Sequence, residues 1–482
     1  MGPAAVTTVL VVAVGYALAW AVLDHPRRRR PWLEALAWAP AVGLGGLSVV
    51  FFLGRLLGLP GAGRGSLLAL TVAATGALVA ARLRRREPPA SSPAGGPGAP
   101  SASAPRVEVP RALAWALRLA LAVTAGALLV ELQRWSLMRP FGTADAINIW
   151  NVRARFLLLT REPLPELFAV LRHGHPDYPL LLPGSVAAQA GFWGGWDQAL
   201  PQATGAAFLL GLGAMLHAGL RRLAGGPLAT AGTALVLASP VVWRWAFAQC
   251  ADLPVAYLAL AGAAGLAAQL QKEGGPPLSP LLTGWALGML AWTKNEGLLL
   301  ALILGAVFLV VWASSRAWAG FRDVLAIGAG AAPGLAVLAL FKLRVAPAGA
   351  AELFLGGSPA AKLGNAERWH QVLEALGAAA QSFGGGWLEV GVFLGLALAV
   401  LATRRTLTRP AGIFLLASLV LAGAGYLVAY VLSPYPAAWH VSTSFERLLL
   451  QVFPLAVLWV LSLSPGLTAG SPATSAAPAA RR

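Results

Sequence analysis

The ionisable residues of this chain are few, and several lie at the edges of long apolar segments. Charged residues make up 11% of the 482 residues, whereas hydrophobic residues make up 57%. An ionised side chain at the edge of the hydrocarbon is costly, so such residues usually serve a function. The candidates for chemistry, in five short segments, are Asp145; His173, His175 and Asp177; Asp252; Lys294 and Glu296; and His440, Glu446 and Arg447.

The first segment, PFGTADAINIWNVRARF, places Asp145 at the start of a short interfacial helix. At about 100° per residue, a helix over 145–156 places polar side chains along one face and apolar side chains on the opposite face. The stripe consists of Asp145, Asn148, Asn151 and Arg155, and the opposite face of Ile147, Trp150 and Ala154. A carboxylate there suits a general base, with the Asn and Arg side chains holding a substrate. The alternative is a helix N-cap, in which Asp satisfies free N–H groups.

The second segment, RHGHPDYPLLLPG, sets His175, Asp177 and Tyr178 among three prolines. Proline disfavours helix, so these polar groups should sit on a stiff, irregular segment that enters the membrane. Such backbone is tolerated there only when it is buried in protein or lines a wet cavity. One alternative is a proline-rich interfacial turn. A metal site of imidazoles and a carboxylate is another, but the spacing matches no recognised site, and we expect neither metal nor cofactor.

The other segments carry single charges at predicted membrane boundaries. Asp252 opens a span, where its alternative role is an N-cap. Lys294 suits a phosphate headgroup or, alternatively, snorkels to the interface. Glu296 follows it at i,i+2, a spacing that does not bring two side chains together on a helix, so no local ion pair is expected.

The last segment, WHVSTSFERLLLQVFP, carries His440 and Arg447 before the final span. Arginine can grip a phosphate through two parallel hydrogen bonds. The alternative is an interface anchor. Trp243-Arg244-Trp245 is interpreted as an aromatic belt with a snorkelling arginine, outside the site.

Composition predicts an all-α, polytopic membrane protein. Soluble domains carry about 25% charged residues, far more than this chain. A soluble enzyme, a collagen-like chain and a disulfide-rich scaffold are excluded, the last because Cys250 is the single cysteine. The net charge of +17 sits in short basic runs beside apolar segments, which indicates positive-inside topology and no nucleic-acid partner.

A membrane span needs about 20 mostly apolar residues. About thirteen are predicted: 4–23, 35–54, 66–82, 112–132, 202–220, 227–245, 253–270, 279–293, 295–313, 324–341, 387–403, 410–432 and 447–464. With the N-terminus outside, the basic runs all fall on the cytoplasmic side and the candidate polar residues all fall on the outer face. We therefore expect a multi-pass protein of a bacterial inner (plasma) membrane with a site facing the periplasm or exterior.

Four regions are predicted along the chain. Residues 1–86 form three N-terminal spans, 87–110 a flexible cytoplasmic linker rich in Pro, Ser, Gly and Ala, 111–464 the core, and 465–482 a disordered tail. The core has long outer loops at about 133–201 and 342–386. The second loop should carry an interfacial amphipathic helix through Trp369, Val372, Leu373, Leu376 and Phe383.

In order, these segments resemble the GT-C superfamily of membrane glycosyltransferases, particularly protein O-mannosyltransferases and aminoarabinose transferases, over about 110–460. The residues that carry the resemblance are Asp145 in the first outer loop, His175-Pro176-Asp177-Tyr178-Pro179, Asp252-Leu253-Pro254, Thr293-Lys294, and Arg447 with Pro454. Ala146 occupies the place of the second acid that is common in this family.

The resemblance implies a GT-C-like core, a polyprenyl-phosphate-linked sugar as donor and inverting transfer to a glycan, lipid or protein acceptor. Asp145 would act as base, while Lys294 and Arg447 would stabilise the departing phosphate. His175, Asp177, Tyr178, Glu296 and His440 would bind substrate, as would Asn148, Arg155 and Asp252. Two alternatives remain: a transporter or flippase for a lipid-linked or anionic substrate, and a catalytically inactive scaffold.

Overall fold

The structure, a computed structural model, describes residues 2–23, 31–86, 107–171, 174–271, 278–315, 320–347, 357–380, 391, 395, 409–463 and 467–469. Within these ranges the chain is almost entirely helical. The exception is a parallel pair of three-residue strands, β1 (Val107–Val109) and β2 (Leu467–Ala469). The predicted span 387–403, most of the linker, most of the tail and His173 lie outside the described residues.

The first nine helices run from the N-terminus to the middle of the chain. They are α1 (Ala5–Leu23), α2 (Pro31–Leu56), α3 (Ala62–Arg86), α4 (Arg111–Met138), α5 (Asn151–Leu159), α6 (Leu164–Val170), α7 (Leu181–Trp193), α8 (Ala199–Leu223) and α9 (Gly226–Ala238). A single π-helical turn, Ala146–Trp150, precedes α5.

Nine further helices follow. They are α10 (Pro240–Phe247), α11 (Asp252–Leu270), α12 (Pro280–Ala291), α13 (Asn295–Ser314), α14 (Phe321–Arg344), α15 (Pro359–Leu363), α16 (Ala366–Ala380), α17 (Pro410–Leu432) and α18 (Ala437–Ser462). Helix α16 lies in the second of the two long predicted loops, and its Val372 is buried, whereas Phe383 lies outside the described residues.

Ten helices of the described residues are long and apolar enough to cross a membrane, and each coincides with a predicted span. The predicted span 227–245 is instead two helices, α9 and α10, bent by 60° at Ser239. The break falls at Pro240, which cannot donate the hydrogen bond that would continue the helix. The predicted span 279–293 is the 12-residue helix α12, which is shorter than a bilayer requires.

The helices alternate in direction, so a defined set of connections meets at one end of the bundle. Arg55, near the end of α2, donates to the backbone oxygens of Leu157 and Thr160. Lys342, near the end of α14, reaches Asp177. The basic pair Arg221 and Arg222 lies at the far end of α8, whose first turn is at the site end. We call the end that carries 139–198, 248–251, 292–294 and 433–436 the site end.

The first three helices pack directly on later ones. The hydroxyl of Tyr257 in α11 donates to the backbone oxygen of Ala37 at 2.6 Å, and the Trp292 indole donates to Ser48 at 3.1 Å. Thr8 of α1 donates to Gln189 of α7 at 2.5 Å. Residues 1–86 therefore contribute to the packing of the same bundle that carries the candidate site.

The first outer loop contains more helix than its sequence suggested. Besides the short interfacial helix, it includes α6 and the 13-residue helix α7, most of which is buried against α2, α3 and α5. Helix α7 begins directly after the proline-rich segment and ends at Gly194, whose φ of 105° favours glycine.

Candidate functional site

The loop that carries Asp145 is fixed by the chain just before α11. The Thr143 backbone N–H donates to the Ala248 oxygen at 3.3 Å. Gly142 has a φ of 77°, and a Cβ atom there would come within 2.7 Å of the same oxygen. Glycine is therefore required for this close approach, and the loop sets Asp145 beside the start of α11.

The helix after Asp145 begins with a π turn, which corrects the predicted polar stripe. The Asn151 N–H bonds the Ala146 oxygen five residues back, so the α-helical spacing fails there. Asn151, predicted on the polar stripe, is buried, and its amide donates to Gln249 at 2.7 Å, whereas Ile147, predicted on the same apolar face as the buried Trp150, is 51% exposed. Asn148 is exposed.

Arg155 is also exposed, and its contacts lead away from Asp145. Its guanidinium lies 4.6 Å from the centre of the Trp196 ring and donates to Gln198 at 3.4 Å. Arg155 therefore does not belong to the group of charges described below.

Asp145 does not cap its helix. Its backbone is helical, and its side chain makes no capping hydrogen bond. Instead its carboxylate accepts a hydrogen bond from Arg447, on α18. The Asp145 side chain is 36% exposed and that of Arg447 17%, so the pair is open to solvent mainly on the Asp145 side.

Asp252 does not act as an N-cap either, although it opens α11. It is fully buried, and its Oδ1 accepts from the Lys294 Nζ at 3.0 Å and from the Gln451 amide at 2.9 Å. Its other oxygen, Oδ2, has no hydrogen-bond partner among the residues that the structure describes. A buried carboxylate oxygen normally requires a partner, so Oδ2 is a place where a substrate group or water is expected.

Lys294 is buried rather than snorkelling, and it pairs with Glu296 as well as Asp252. The Nζ to Glu296 Oε1 distance is 3.0 Å, so the expectation of no local ion pair was wrong. Lys294 has extended backbone and precedes α13, and helical spacing therefore does not apply to it. Its Nζ also lies 5.7 Å from the centre of the Tyr178 ring.

These contacts gather charges from four separate segments into what we call the ion cluster. Its members are Asp145, Asp252, Lys294, Glu296 and Arg447. Arg447 is within electrostatic range of both aspartates, which links the two pairs into one group. Buried ionic groups need partners of opposite charge, and each member of this cluster has one from a residue that the structure describes, although Asp252 Oδ2, Glu296 Oε2 and Arg447 Nε make no hydrogen bond within the described residues.

The proline-rich segment forms a wall of the ion cluster through Tyr178. The His175 and Tyr178 rings stack with centres 4.5 Å apart, and the Trp150 ring lies 5.8 Å beyond. Buried Arg153 donates to the backbone oxygens of Gly174 and His175. Burial lowers the pKa of Arg153 to about 10, so the guanidinium remains charged at neutral pH. Arg153 therefore fixes a segment in which His175 has a φ of 58°.

Asp177 belongs to a neighbouring polar group. Its Oδ2 accepts from the Asn295 amide at 2.7 Å and from the Lys342 Nζ at 3.3 Å. Lys342 also donates to the Asp177 backbone oxygen at 2.6 Å and to Asn295 at 2.9 Å. Because Asn295 follows Lys294 directly, this group fixes the start of α13. Asp177 is thus linked to the ion cluster through Asn295, whose backbone continues directly from Lys294.

His440 is separated from Arg447 by Tyr430. Its ring packs edge-on against Tyr430 at 5.0 Å and Tyr435 at 5.7 Å. The Tyr430 hydroxyl bonds that of Ser444 at 2.9 Å, and Tyr430 is within electrostatic range of Arg447 and Lys294. Among the described residues, no group of three His, Cys, Asp or Glu side chains is arranged to hold a metal ion.

Glu446, next to Arg447, faces a different partner. Its Oε1 accepts from Arg244 at 3.0 Å and from the Trp245 indole at 2.8 Å. The Arg447 guanidinium lies 5.5 Å from the centre of the Trp245 ring. The segment interpreted as an aromatic belt therefore touches the site directly.

Four residues that position the site were not among the sequence candidates: Gln249, Gln451, Arg153 and Lys342. Gln249 has a φ of 62° and donates to the Pro140 oxygen at 2.9 Å. Because it also accepts from Asn151, it fixes the chain both before and after Asp145. Gln451 lies one helical turn after Arg447, so spacing on α18 was a usable signal for it. Nothing in the local sequence marks the others, because their partners are distant.

Two grooves meet the Arg244–Glu446 pair, one lined by Glu446 and the other by Arg244. The α16–α18 groove has a volume of about 350 Å³ and is lined by Ala375, Ala378, Ala379, Ala438, Val441, Ser442, Phe445 and Glu446. The α4–α10 groove has a volume of about 430 Å³ and is lined by Glu131, Arg134, Trp135, Met138, Arg139, Trp243 and Arg244.

Comparison with known proteins identified no relative. No protein-family model, no curated protein and no solved structure matches the chain. The candidate function therefore depends on the geometry of the site and on the sequence pattern.

Proposed function

We propose that this protein is a membrane glycosyltransferase of the GT-C type. It would move a sugar from a polyprenyl-phosphate carrier to an acceptor hydroxyl, with inversion at the anomeric carbon. The observation that carries the proposal is a half-exposed carboxylate, Asp145, held by Arg447 beside the buried Lys294–Asp252 pair. Asp145 is the most exposed acid of the ion cluster, and an accessible carboxylate next to two cations matches the needs of this reaction.

Asp145 is the base of the proposed reaction. It takes the proton from the acceptor hydroxyl while the acceptor oxygen bonds to the anomeric carbon. The bond from that carbon to the phosphate oxygen breaks, and the polyprenyl phosphate leaves with the electron pair. Arg447 and Lys294 stabilise the charge that develops on the phosphate.

The donor phosphate also activates the base. In the resting structure Arg447 donates a hydrogen bond to Asp145 and so occupies a carboxylate oxygen that would otherwise be free to take a proton. A phosphate next to Arg447 competes for the same guanidinium, because arginine binds phosphate through two parallel hydrogen bonds. Donor binding would thus release Asp145 in the same step that places the leaving group.

The α16–α18 groove supports entry of a lipid carrier from the side. Its walls are alanine, valine and phenylalanine side chains, and it ends at Glu446, next to Arg447. A prenyl chain laid along this wall would bring its phosphate to the cluster. The resemblance also suggests secondary roles: Asp252 would bind sugar hydroxyls or position a basic group, and His175 or His440 would orient the phosphate or the sugar.

The basic runs support an extracytoplasmic site in a bacterial plasma membrane. Arg221 and Arg222 lie at the end of α8 opposite the site. Arg82 lies near the end of α3, which leads away from the site end in the same way. If these arginines face the cytoplasm, the ion cluster faces outward.

Donor consumption tests the proposal directly. Purified protein in liposomes is supplied with a panel of radiolabelled undecaprenyl-phosphate sugars and with membrane extract as acceptor. The proposal predicts that one donor loses its sugar to an acceptor and that Asp145→Asn abolishes the loss. A donor that crosses the bilayer with its glycosidic bond intact would indicate a transporter instead. If no donor is consumed or moved by folded protein, the proposal fails and the scaffold alternative gains support.

A further inference from the structure

The α4–α10 groove is the strongest feature that the proposed reaction does not use. Three arginines line it together with the carboxylate of Glu131, and one of them, Arg244, reaches Glu446 outside the groove. Glu446 is already bonded by Arg244 at 3.0 Å and by the Trp245 indole. Arg134 is 3.5 Å from Glu131, a loose contact for a pair whose arginine side chain is 63% exposed. Within the described part of the chain, no ion pair joins Arg139 to a carboxylate.

Arg139 is held in place without being neutralised. Its guanidinium lies over the Trp135 ring, 5.1 Å from the ring centre, at the end of α4. Stacking on an aromatic face orients arginine and leaves its N–H donors directed outward. The groove therefore presents a fixed cation with open hydrogen-bond donors.

The walls of the groove are both cationic and aromatic. Trp135, Met138 and Trp243 supply apolar surface, while Arg134, Arg139 and Arg244 supply positive charge. A free anion would use the charge but not the apolar wall, whereas an amphiphile with an anionic headgroup would use both. Its volume of about 430 Å³ is within the range of small-molecule sites.

We infer that the α4–α10 groove binds the phosphate headgroup of a lipid. The phosphate is placed between Arg139 and Arg134, and the adjoining chain lies on Trp135 and Met138. This inference does not depend on glycosyl transfer, because binding is measured without turnover. If transfer also holds, the groove is linked to the ion cluster through Arg244, whose partner Glu446 precedes Arg447 in the sequence.

A titration of full-length protein in detergent tests the inference. The probes are dihexanoyl phosphatidic acid, dihexanoyl phosphatidylcholine and inorganic phosphate, each followed by calorimetry. Phosphatidic acid should bind most tightly of the three probes. Inorganic phosphate should bind more weakly because it lacks the apolar contact. Equal affinity for phosphatidic acid and phosphatidylcholine would overturn the inference, and so would inorganic phosphate binding as tightly as the acidic lipid.

Variants locate the binding in the groove. Arg139→Gln should weaken phosphatidic acid binding about tenfold, because a charge-assisted hydrogen bond is lost. Arg118→Gln is the matched control: Arg118 is on the same helix and lies over Trp115 at 4.8 Å, but outside the groove. Equal losses in both variants would show a general surface effect and would overturn the inference.

A variant that is expected to bind more tightly separates an effect on the binding site from damage to the fold. Glu131→Gln removes a carboxylate that repels the headgroup and leaves Arg134 unpaired. It should tighten phosphatidic acid binding several-fold, an effect that damage to the fold does not produce. Unchanged or weaker binding in this variant, in protein with an unaltered melting temperature, would contradict the placement of the phosphate.

Discussion

Arg447 donates a hydrogen bond to the Asp145 carboxylate, although 302 positions separate the two residues in the sequence. Asp145 lies in the connection after α4, and Arg447 lies in the third turn of α18. Their contact joins the two ends of the region predicted as the core. It also replaces the helix cap that the sequence allowed as an alternative for Asp145, since the carboxylate bonds a side chain and not its own helix.

Arg447→Lys should retain the charge and lose the fork of parallel donors. Lysine is a point charge on a flexible stem, so it cannot hold Asp145 and then a phosphate in the same geometry. We expect sugar transfer to fall by about tenfold or more, with a larger fall in Arg447→Gln. The measurement is initial rate at saturating acceptor. The control is Arg161→Lys, in the predicted loop that carries Asp145. Arg161 is exposed, and this variant should keep wild-type activity.

Lys294→Met should destabilise the protein more than Asp252→Asn. The methionine variant leaves two carboxylates, Asp252 and Glu296, without their shared cation, and an uncompensated buried charge costs about 3–5 kcal/mol. The asparagine variant removes a charge but leaves Lys294 paired with Glu296. Thermal unfolding in detergent compares the three proteins.

The double variant Lys294→Met/Asp252→Asn provides the internal check. It removes one cation and one anion, so its melting temperature should lie between that of Lys294→Met and that of the wild type. A double variant no more stable than Lys294→Met alone would show that the two residues do not act as a pair.

Cys250 should be unreactive in the folded protein. Burial is the main cause that raises the pKa of its thiol to about 12, with a smaller contribution from Asp252. A thiol is protonated below its pKa, and the thiolate is the reactive form, so at pH 9 only about one molecule in a thousand is reactive. Maleimide labelling should therefore fail between pH 7 and 9 and appear on denaturation. Rapid labelling of native protein would contradict the buried placement.

Introduced cysteines test the sidedness of the site. Arg161 is at the site end, whereas Arg322 begins α14, whose last turn reaches the site end. Both are exposed. In intact cells an impermeant maleimide should label Arg161→Cys and spare Arg322→Cys, and permeabilisation should expose the second. The reverse pattern would place the ion cluster on the cytoplasmic side. Position 252 is unsuitable for labelling because Asp252 is fully buried.

The spans were predictable from sequence because hydropathy is a local property. Ten of the thirteen predicted spans correspond to single long helices. The bend at Ser239 and the short helix α12 were missed, since a run of apolar residues does not reveal where a helix breaks or how deeply it is buried. Helix α7 was missed because its flanking prolines and glycines are typical of loops.

The candidate site was predictable in its residues and not in its contacts. Unusual charges at span boundaries identified Asp145, Asp252, Lys294 and Arg447, and the structure brings them together. The partners were not predictable, because a π turn and an extended residue change local spacing, as at Asn151 and Lys294. Polar residues inside apolar helices, such as Gln451, were overlooked because they carry no charge.

Asp145→Asn measures the central claim most directly. General-base catalysis contributes about 100- to 10,000-fold, so the variant should lose sugar transfer by at least the lower factor. Its melting temperature should stay close to that of the wild type, and donor binding should be at least as tight, because Arg447 no longer pairs with a carboxylate. Asp197→Asn is the matched control, since the Asp197 carboxylate accepts from the backbone N–H of Ala199 at 2.8 Å and, within the described residues, pairs with no cation. Full transfer activity in Asp145→Asn, in folded protein, would contradict the account.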